Sequence, residues 1–239
     1  YGTIHRKPWR TKAQPKPIKP ATRPGEYVSV DQMVSTTPGF IAQLKSPTLT
    51  RRRYKAATIF VDHYSSLSYV HLQESLSSED TVSAKHAFEA YARERGISIQ
   101  HYHADNGRFV DNAWTTSLQS SSQTMTLCGV NAHHQNGIVE KRIRDITEQA
   151  RKMLLHAHSK WPFAMHYCLW PYALRTANDL RNSLPAADGF SPMEKFGAVA
   201  VMPNLSTYHV FGCPVYALRN ELQSKNFFAQ MGAPCSIGP

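Results

Sequence analysis

The sequence predicts an α/β fold: a mixed five-stranded sheet flanked by helices, preceded by a basic linker and followed by a C-terminal appendix. Three observations point there. Runs of β-branched alternation come first, around residues 27–31, 57–62 and 68–72. Helical spacing follows from Ser78, and strand and helix signals then alternate as far as residue 185. The length of 239 residues, with 41% hydrophobic and 10% aromatic content, suffices to bury one large core. No run is apolar for long enough to span a bilayer, and no charged-then-apolar opening suggests secretion. Cys128, Cys168, Cys213 and Cys235 are widely spaced, which fits reduced, intracellular thiols better than disulfides or a structural zinc site.

Residues 1–24 carry Arg6, Lys7, Arg10, Lys12, Lys16, Lys19 and Arg23 without an acid, and five prolines that favour an extended chain. They read as a basic, Pro-rich linker, suited to phosphate contact or simply to solubility. The total charge is +10, so the remaining chain is nearly balanced. A folded core is expected over residues 25–185 and an extension over 186–239.

Within the core, Tyr27 to Asp31 alternates as a first strand, with Tyr27, Ser29 and Asp31 on one face and Asp31 near its end. A long loop holding Pro38-Gly39 and Arg51-Arg52-Arg53 leads to strands at Ala57–Asp62 and Ser68–Leu72, completing an antiparallel meander. Ala84, Phe88, Tyr91 and Ala92 predict a helix from Ser78, with Gly96 as its terminator. Strand four, Ile97–Ala104, puts Ile97, Ile99, His101 and His103 on the side of Asp105 and delivers Asp105 at its carboxyl end. A short helix from about Asp111 and a strand over Thr124–Val130 come next. From Asn136 a long helix is expected, with Val139, Ile143, Ile146, Ala150, Met153 and Ala157 as one stripe and Glu140, Arg144 and Arg151 off it. A further helix should start at Trp161-Pro162 and kink at Pro171, and Thr207–Leu218 reads as strand-like.

This is the element order of ribonuclease H-like folds. If strands one and four are neighbours, Asp31 and Asp105 lie side by side and Glu140 reaches them from the long helix. Such a cluster suits two-metal phosphoryl transfer, because hard Mg²⁺ or Mn²⁺ ions take oxygen donors. With 17 acidic residues, spacing alone selects many such triples, so local context decides. His103-Ala104-Asp105-Asn106-Gly107 sets one acid between a strand and an Asn-Gly turn; Gln135-Asn136-Gly137-Ile138-Val139-Glu140 sets another on a helix's first turn. Arg144 shares the Glu140 face one turn on, with Lys141 and Arg142 flanking it. Asn136 caps the helix or touches DNA, and capping is the safer reading. His101 and His103 have a spacing that can bind transition metals, but nearby carboxylates favour a hard ion and strand histidines are usually hydrogen-bonded neighbours. His133-His134 lies in the loop before the long helix. Neither a nucleophile elbow nor a Gly-rich phosphate loop occurs.

Asp-Asn-Gly at 105–107, followed by Gln-Asn-Gly at 135–137 and then Glu140, resembles the integrase catalytic core of copia-type LTR retrotransposons (Pseudoviridae), within the retroviral integrase superfamily. Other landmarks agree in order: Phe60-Val61-Asp62-His63-Tyr64-Ser65, Ser191-Pro192-Met193-Glu194 and Val210-Phe211-Gly212-Cys213-Pro214-Val215-Tyr216. Tyr1-Gly2 through Trp9-Arg10 is similar to the segment after the family's zinc-binding module. The resemblance spans essentially the whole chain and implies a piece of a Gag-Pol polyprotein. Thirty-four residues separate Asp105 from Glu140, one fewer than the family's usual number. His63 stands where a second Asp is common, and Asp62 and His63 read as structural.

The resemblance implies a DDE polynucleotidyl transferase in which Asp31, Asp105 and Glu140 bind two Mg²⁺ or Mn²⁺ ions. It would process element ends and join them to target DNA. Lys141, Arg144, Asn136, Arg51, Arg52, Arg53 and the linker would contact the two DNAs, with Asn106, Gly107 and Gly137 supporting the turns. The resemblance further implies a homo-multimer without membrane or small-molecule cofactor, held in a cytoplasmic particle and then acting in the nucleus. Two other readings stay open: a catalytically inactive DNA-binding or assembly fragment of a decayed element, and an RNA-cleaving nuclease of the same fold.

Overall fold

The computed structural model describes residues 20–42, 50–128, 136–197, 206 and 208–214. Strands β1 (Val28–Gly39), β2 (Tyr54–Asp62) and β3 (Ser68–Gln73) form the expected antiparallel meander. Strands β4 (His101–Ala104) and β5 (Thr124–Leu127) continue the sheet in parallel on the other side of β1, giving the order β3-β2-β1-β4-β5. Parallel neighbours need crossovers, which α1 (Ser78–Arg93) and α2 (Asn112–Ser120) supply. Ser77 caps α1 by accepting a hydrogen bond from the Asp80 amide at 3.1 Å, and the chain reverses after the helix through Gly96 at φ +71°.

Alternation along the strands divides the interior in two. On one face Phe60 stacks on Phe88 of α1 at 4.7 Å, with Val28, Val30, Tyr102, Trp114 and Phe196 around them. On the other, Ala57, Ile59, Val61, Val70 and Leu72 pack against α3 (Gly137–Lys160) and α4 (Trp170–Ser183) through Val139, Ile146, Ala150, Leu154, Trp170 and Leu174.

Several expectations change. β1 runs well past Asp31: its pairing with β2 shifts register between Val34 and Gly39, and that irregularity accommodates Pro38, which has no N–H to donate. Gly39 then passes so close to α4 that any side chain there would meet Pro171 and the Trp170 indole. β4 is short, and Ile97 and Ile99 belong to the core around Tyr102, so the expected alternation breaks before His101. Trp161 closes α3 by donating to the Ala157 carbonyl; α4 begins only at Trp170, with Pro171 in its first turn, where a missing N–H is harmless and no kink arises. Core packing also continues beyond residue 185, because Phe196 of α5 (Pro192–Gly197) is fully buried beside Phe88 and Tyr91. Residues 208–214 form a turn rather than a strand; the rest of 207–218, residues 1–19 with most of the basic linker, residues 129–130, His133-His134 and Gln135 lie outside the described residues. Among the described residues no helix is long and apolar enough to cross a membrane, and Cys128, Cys168 and Cys213 are free thiols.

The core also holds an ion pair with no sequence signal beyond i,i+4 spacing. Lys85 is completely buried; its Nζ lies 3.0 Å from Glu89 and donates to the Ser117 hydroxyl at 3.0 Å. Glu89 accepts in turn from the Tyr102 hydroxyl at 2.9 Å and from Gln123 at 2.7 Å. Truncating Lys85 to Ala leaves that carboxylate without its cation, and a loss of about 3–5 kcal/mol is expected in urea denaturation; a loss below about 1 kcal/mol would place the pair among surface-like ones.

Candidate active site

Strand register sets the two predicted aspartates on one face. Ser29 pairs with His103 across β1 and β4, so Asp31 and Asp105 each lie two residues beyond one parallel pair, on the same face. His103 pairs with Thr126 and Ala104 with Leu127, which sets Cys128 opposite Asp105, and the Cys128 amide donates to the Ala104 carbonyl at 2.9 Å. Glu140 arrives on the first turn of α3. The convergence is felt by one sulfur: burial first, and then the charges of Asp105, Glu140 and Asp31, push the Cys128 thiol up to about 11. All three acids therefore stand within electrostatic reach of a group that is only 3% exposed.

Backbone amides hold the two aspartates. The Gly107 amide donates to Asp105 Oδ1 at 3.1 Å and the Gln32 amide to Asp31 Oδ1 at 2.7 Å. A Cβ at Gly107 would stand 3.1 Å from that same oxygen, so a larger residue there would push the Asp105 carboxylate by a few tenths of an ångström. Asn106 Nδ2 donates to the Cys128 carbonyl at 2.5 Å, tying the turn to the end of β5. At Gly137 a side chain would meet open space, so its support is not steric.

Asn136 departs from both of its expected roles. It occupies the position before α3 but makes no side-chain cap, and at 1% exposure it cannot reach DNA. Its Nδ2 instead donates to the Val30 carbonyl at 3.1 Å, joining the residue before Asp31 to the helix turn that carries Glu140. Asn136 is thus a positioning residue. Arg142 does not flank an exposed face either; it is buried and donates to Ser66 and Ser68. Lys141 and Arg144 are exposed on α3, as a phosphate contact requires. Arg51 is exposed, while Arg52 is paired with Glu74 and Arg53 stacks over Phe40 at 5.0 Å. They sit beside Tyr54, which pairs with Gly39, eight residues along β1 from Asp31. At the strand rise that separation is roughly 25 Å.

The histidines form a network that sequence spacing did not reveal. His101 engages Thr124 at 2.7 Å and Thr126 at 2.9 Å through its two ring nitrogens, and His103 engages Thr126 at 2.8 Å and Cys128 at 3.5 Å. These are hydrogen-bonded neighbours rather than a metal pair. His63 meets Ser29 at 2.7 Å, and Asp62 accepts from the amides of Gly25 at 2.8 Å and Ser65 at 2.7 Å, both in structural roles. Among the described residues, no three His, Cys, Asp or Glu side chains stand close enough to hold a metal ion. The all-oxygen donor set, beside a thiol kept protonated at neutral pH, fits a hard cation in chemistry, but Asp31, Asp105 and Glu140 would have to draw closer to grip one.

The chain is 28% identical over 200 residues to the retrovirus-related Pol polyprotein from transposon RE1 of Arabidopsis thaliana, a match covering 82% of this chain but only 12% of that protein's length. Among solved structures it superposes on the HTLV-2 integrase catalytic core domain in complex with magnesium, with a TM-score of 0.52 at 17% identity, covering 73% of this chain and 98% of that one. It also matches the simian T-cell lymphotropic virus intasome in complex with PP2A regulatory subunit B56 gamma, with a TM-score of 0.57 at 15% identity, covering 78% of this chain and 59% of that one. The chain is similar to a retrotransposon Pol polyprotein and folds as a retroviral integrase core. No family model matches it. The mixed five-stranded, ribonuclease H-like architecture read from element order is borne out.

Within this integrase-core fold the histidine network has a measurable consequence. Burial first, and then His103 and His101, push the His63 pKa down from 6.5 to about 4. An unfolded His63 takes up its proton near 6.5 while the native one stays neutral, so the stability it contributes is complete above that pH and is lost as pH falls toward 4. His63→Gln, which keeps a partner for Ser29, should flatten the urea midpoint across that window. An unchanged slope would assign the acid sensitivity to other groups.

Proposed function

We propose that the chain is the catalytic core of a retrotransposon integrase, carrying out 3′-end processing and strand transfer with Asp31, Asp105 and Glu140 as metal ligands. One observation carries the reading: the parallel pairing of Ser29 with His103 sets Asp31 and Asp105 at equivalent positions of neighbouring chain segments, with Glu140 on the first turn of the helix that follows. When bound, two Mg²⁺ or Mn²⁺ ions would activate the attacking oxygen and stabilise the leaving one. The chain's own part is placement. The amides of Gly107 and Gln32 fix one oxygen of each aspartate. Asn136 sets the approach of Glu140 to Asp31. Lys141, next to Glu140, and Arg144, one turn along α3, orient the DNA by its phosphates.

In the first reaction a water oxygen attacks phosphorus near the element's end, and the bond to the 3′ oxygen breaks, leaving a 3′-hydroxyl. In the second that hydroxyl attacks a target phosphodiester, forming one P–O bond as another breaks. No protein nucleophile is consumed. Arg51 to Arg53, roughly 25 Å away along β1, meet a more distant part of the same duplex or a second one. The enzyme works as a multimer on element-end and target DNA, within a longer polyprotein product acting in the nucleus.

The spread of the carboxylates favours a second reading, a DNA-binding assembly fragment without activity. Mn²⁺ titration separates the two: binding lost on Asp105→Asn supports the enzyme, and DNA binding indifferent to metal supports the fragment. In strand-transfer assays on element-end oligonucleotides, Asp105→Asn should lower the rate by about 10² or more; full activity in that variant sinks the proposal. Arg144→Ala should weaken DNA binding similarly for all sequences and reduce the slope of log K against log salt by about 1. An unchanged slope would remove Arg144 from the phosphate contacts.

A further inference from the structure

On the α3–α4 side of the molecule lies a cavity of about 530 Å³, bounded by the β2–β3 turn, α3, α4 and the chain after α4. Its polar wall holds Arg142, Arg181 and Asp145, and its apolar wall includes Ile146, Leu180 and Ala186. Arg142 is the unusual member. It is only 8% exposed, yet its hydrogen bonds run from Nη1 alone, to the Ser66 carbonyl at 2.9 Å and the Ser68 hydroxyl at 2.8 Å. Both acceptors are neutral. Arginine is seldom buried without a carboxylate beside it, because desolvating the guanidinium is costly. Asp145, the acid in the same wall, is engaged by Arg181 at 3.1 Å.

Two arginines thus face one aspartate, and Arg142 retains donors directed at no acceptor among the described residues. Burial first, and then Arg181, lower its pKa to about 10 against the opposing pull of Asp145, which leaves it charged at neutral pH. A planar carboxylate matches a guanidinium edge through two parallel hydrogen bonds and neutralises the single excess charge. A phosphate dianion would overcompensate it. The apolar wall asks for a hydrocarbon body on the same ligand, and the volume lies within the range of small-molecule sites.

We propose that this cavity is a binding site for a monoanionic carboxylate carrying an apolar body, with Arg142 as its anchor. The ligand is either a free apolar acid or an acidic side chain within an apolar peptide; the chemistry is shared. The site is independent of the reading of Asp31, Asp105 and Glu140.

Calorimetric titration of the 239-residue chain tests it. Either 4-phenylbutanoate or the peptide acetyl-Leu-Glu-Leu-amide should bind saturably at one site, and whichever binds identifies the source. The matching amide, 4-phenylbutanamide or the Gln peptide, should bind at least about tenfold more weakly, and inorganic phosphate no better than the amide. Arg142→Gln should weaken the acid by at least about tenfold. Should that variant not fold, Ala186→Trp fills the exposed rim while keeping Arg142 and its acceptors, and should abolish binding. Asp105→Asn should bind as the unaltered chain does, which separates this site from the carboxylate row. Equal binding of acid and amide, tighter binding of phosphate, undiminished binding in whichever of Arg142→Gln and Ala186→Trp fold, or no saturable binding of either acid overturns the proposal.

Discussion

Two parallel residue pairs, Val28 with Tyr102 and Ser29 with His103, join the antiparallel half of the sheet to its parallel half. Parallel pairing cannot be made locally; it requires the crossover through α1, whose Ala84, Phe88 and Ala92 bury one face of the sheet. Once Val28 and Val30 are committed to that side, period-two alternation sends Ser29 and Asp31 to the other. The same pairs send His103 and Asp105 there. The aromatic packing of Phe60, Phe88 and Tyr102 and the convergence of two carboxylates are consequences of one register. A slip of one residue would invert both.

α3 takes its place by polar contacts as much as by its apolar stripe. Val139, Ile146, Ala150 and Leu154 set the helix against β2 and β3, but hydrophobic contact is non-directional and leaves rotation and axial shift loosely fixed. Two buried polar side chains remove that freedom. Asn136 reaches the Val30 carbonyl on β1, and Arg142 reaches Ser66 and Ser68 at the β2–β3 turn. Glu140 lies between these two anchors. Its relation to Asp31 is therefore defined from both sides, while Lys141 and Arg144 on the opposite flank stay exposed.

The meander, α1, α2 and the start of α3 were legible in the sequence because each is encoded locally, by alternation, by helical spacing or by an Asn-Gly turn. So were the places of Asp105 just after β4 and Glu140 on a first helical turn, whereas Asp31, expected near a strand end, lies within a strand that continues to Gly39. What was illegible depends on distant partners. Pro38-Gly39 reads as a loop, yet pairing with Tyr54 carries β1 on across an irregularity. Asn136 reads as a cap because nothing nearby in sequence names the Val30 carbonyl as the acceptor for its Nδ2. Arg142 reads as surface until the β2–β3 turn supplies acceptors that make its burial tolerable. Pro171 reads as a kink only while the helix is assumed to begin earlier, at Trp161. The polar role of Cys128 follows only from the β4–β5 register, which fixes its place opposite Asp105.

The carboxylate row also explains why the neighbouring turn is built as it is. Like charges repel, so a fold holding Asp31, Asp105 and Glu140 on one side of the sheet carries a local negative field, which adds to burial in lifting the Cys128 thiol to about 11. Amides from Gly107 and Gln32 each offset part of it, and they do so with neutral dipoles that fix position without neutralising charge. A lysine or arginine in either place would relieve the field more fully and would occupy the oxygens. Backbone amides thus fix one oxygen of each aspartate without bringing a formal charge of their own.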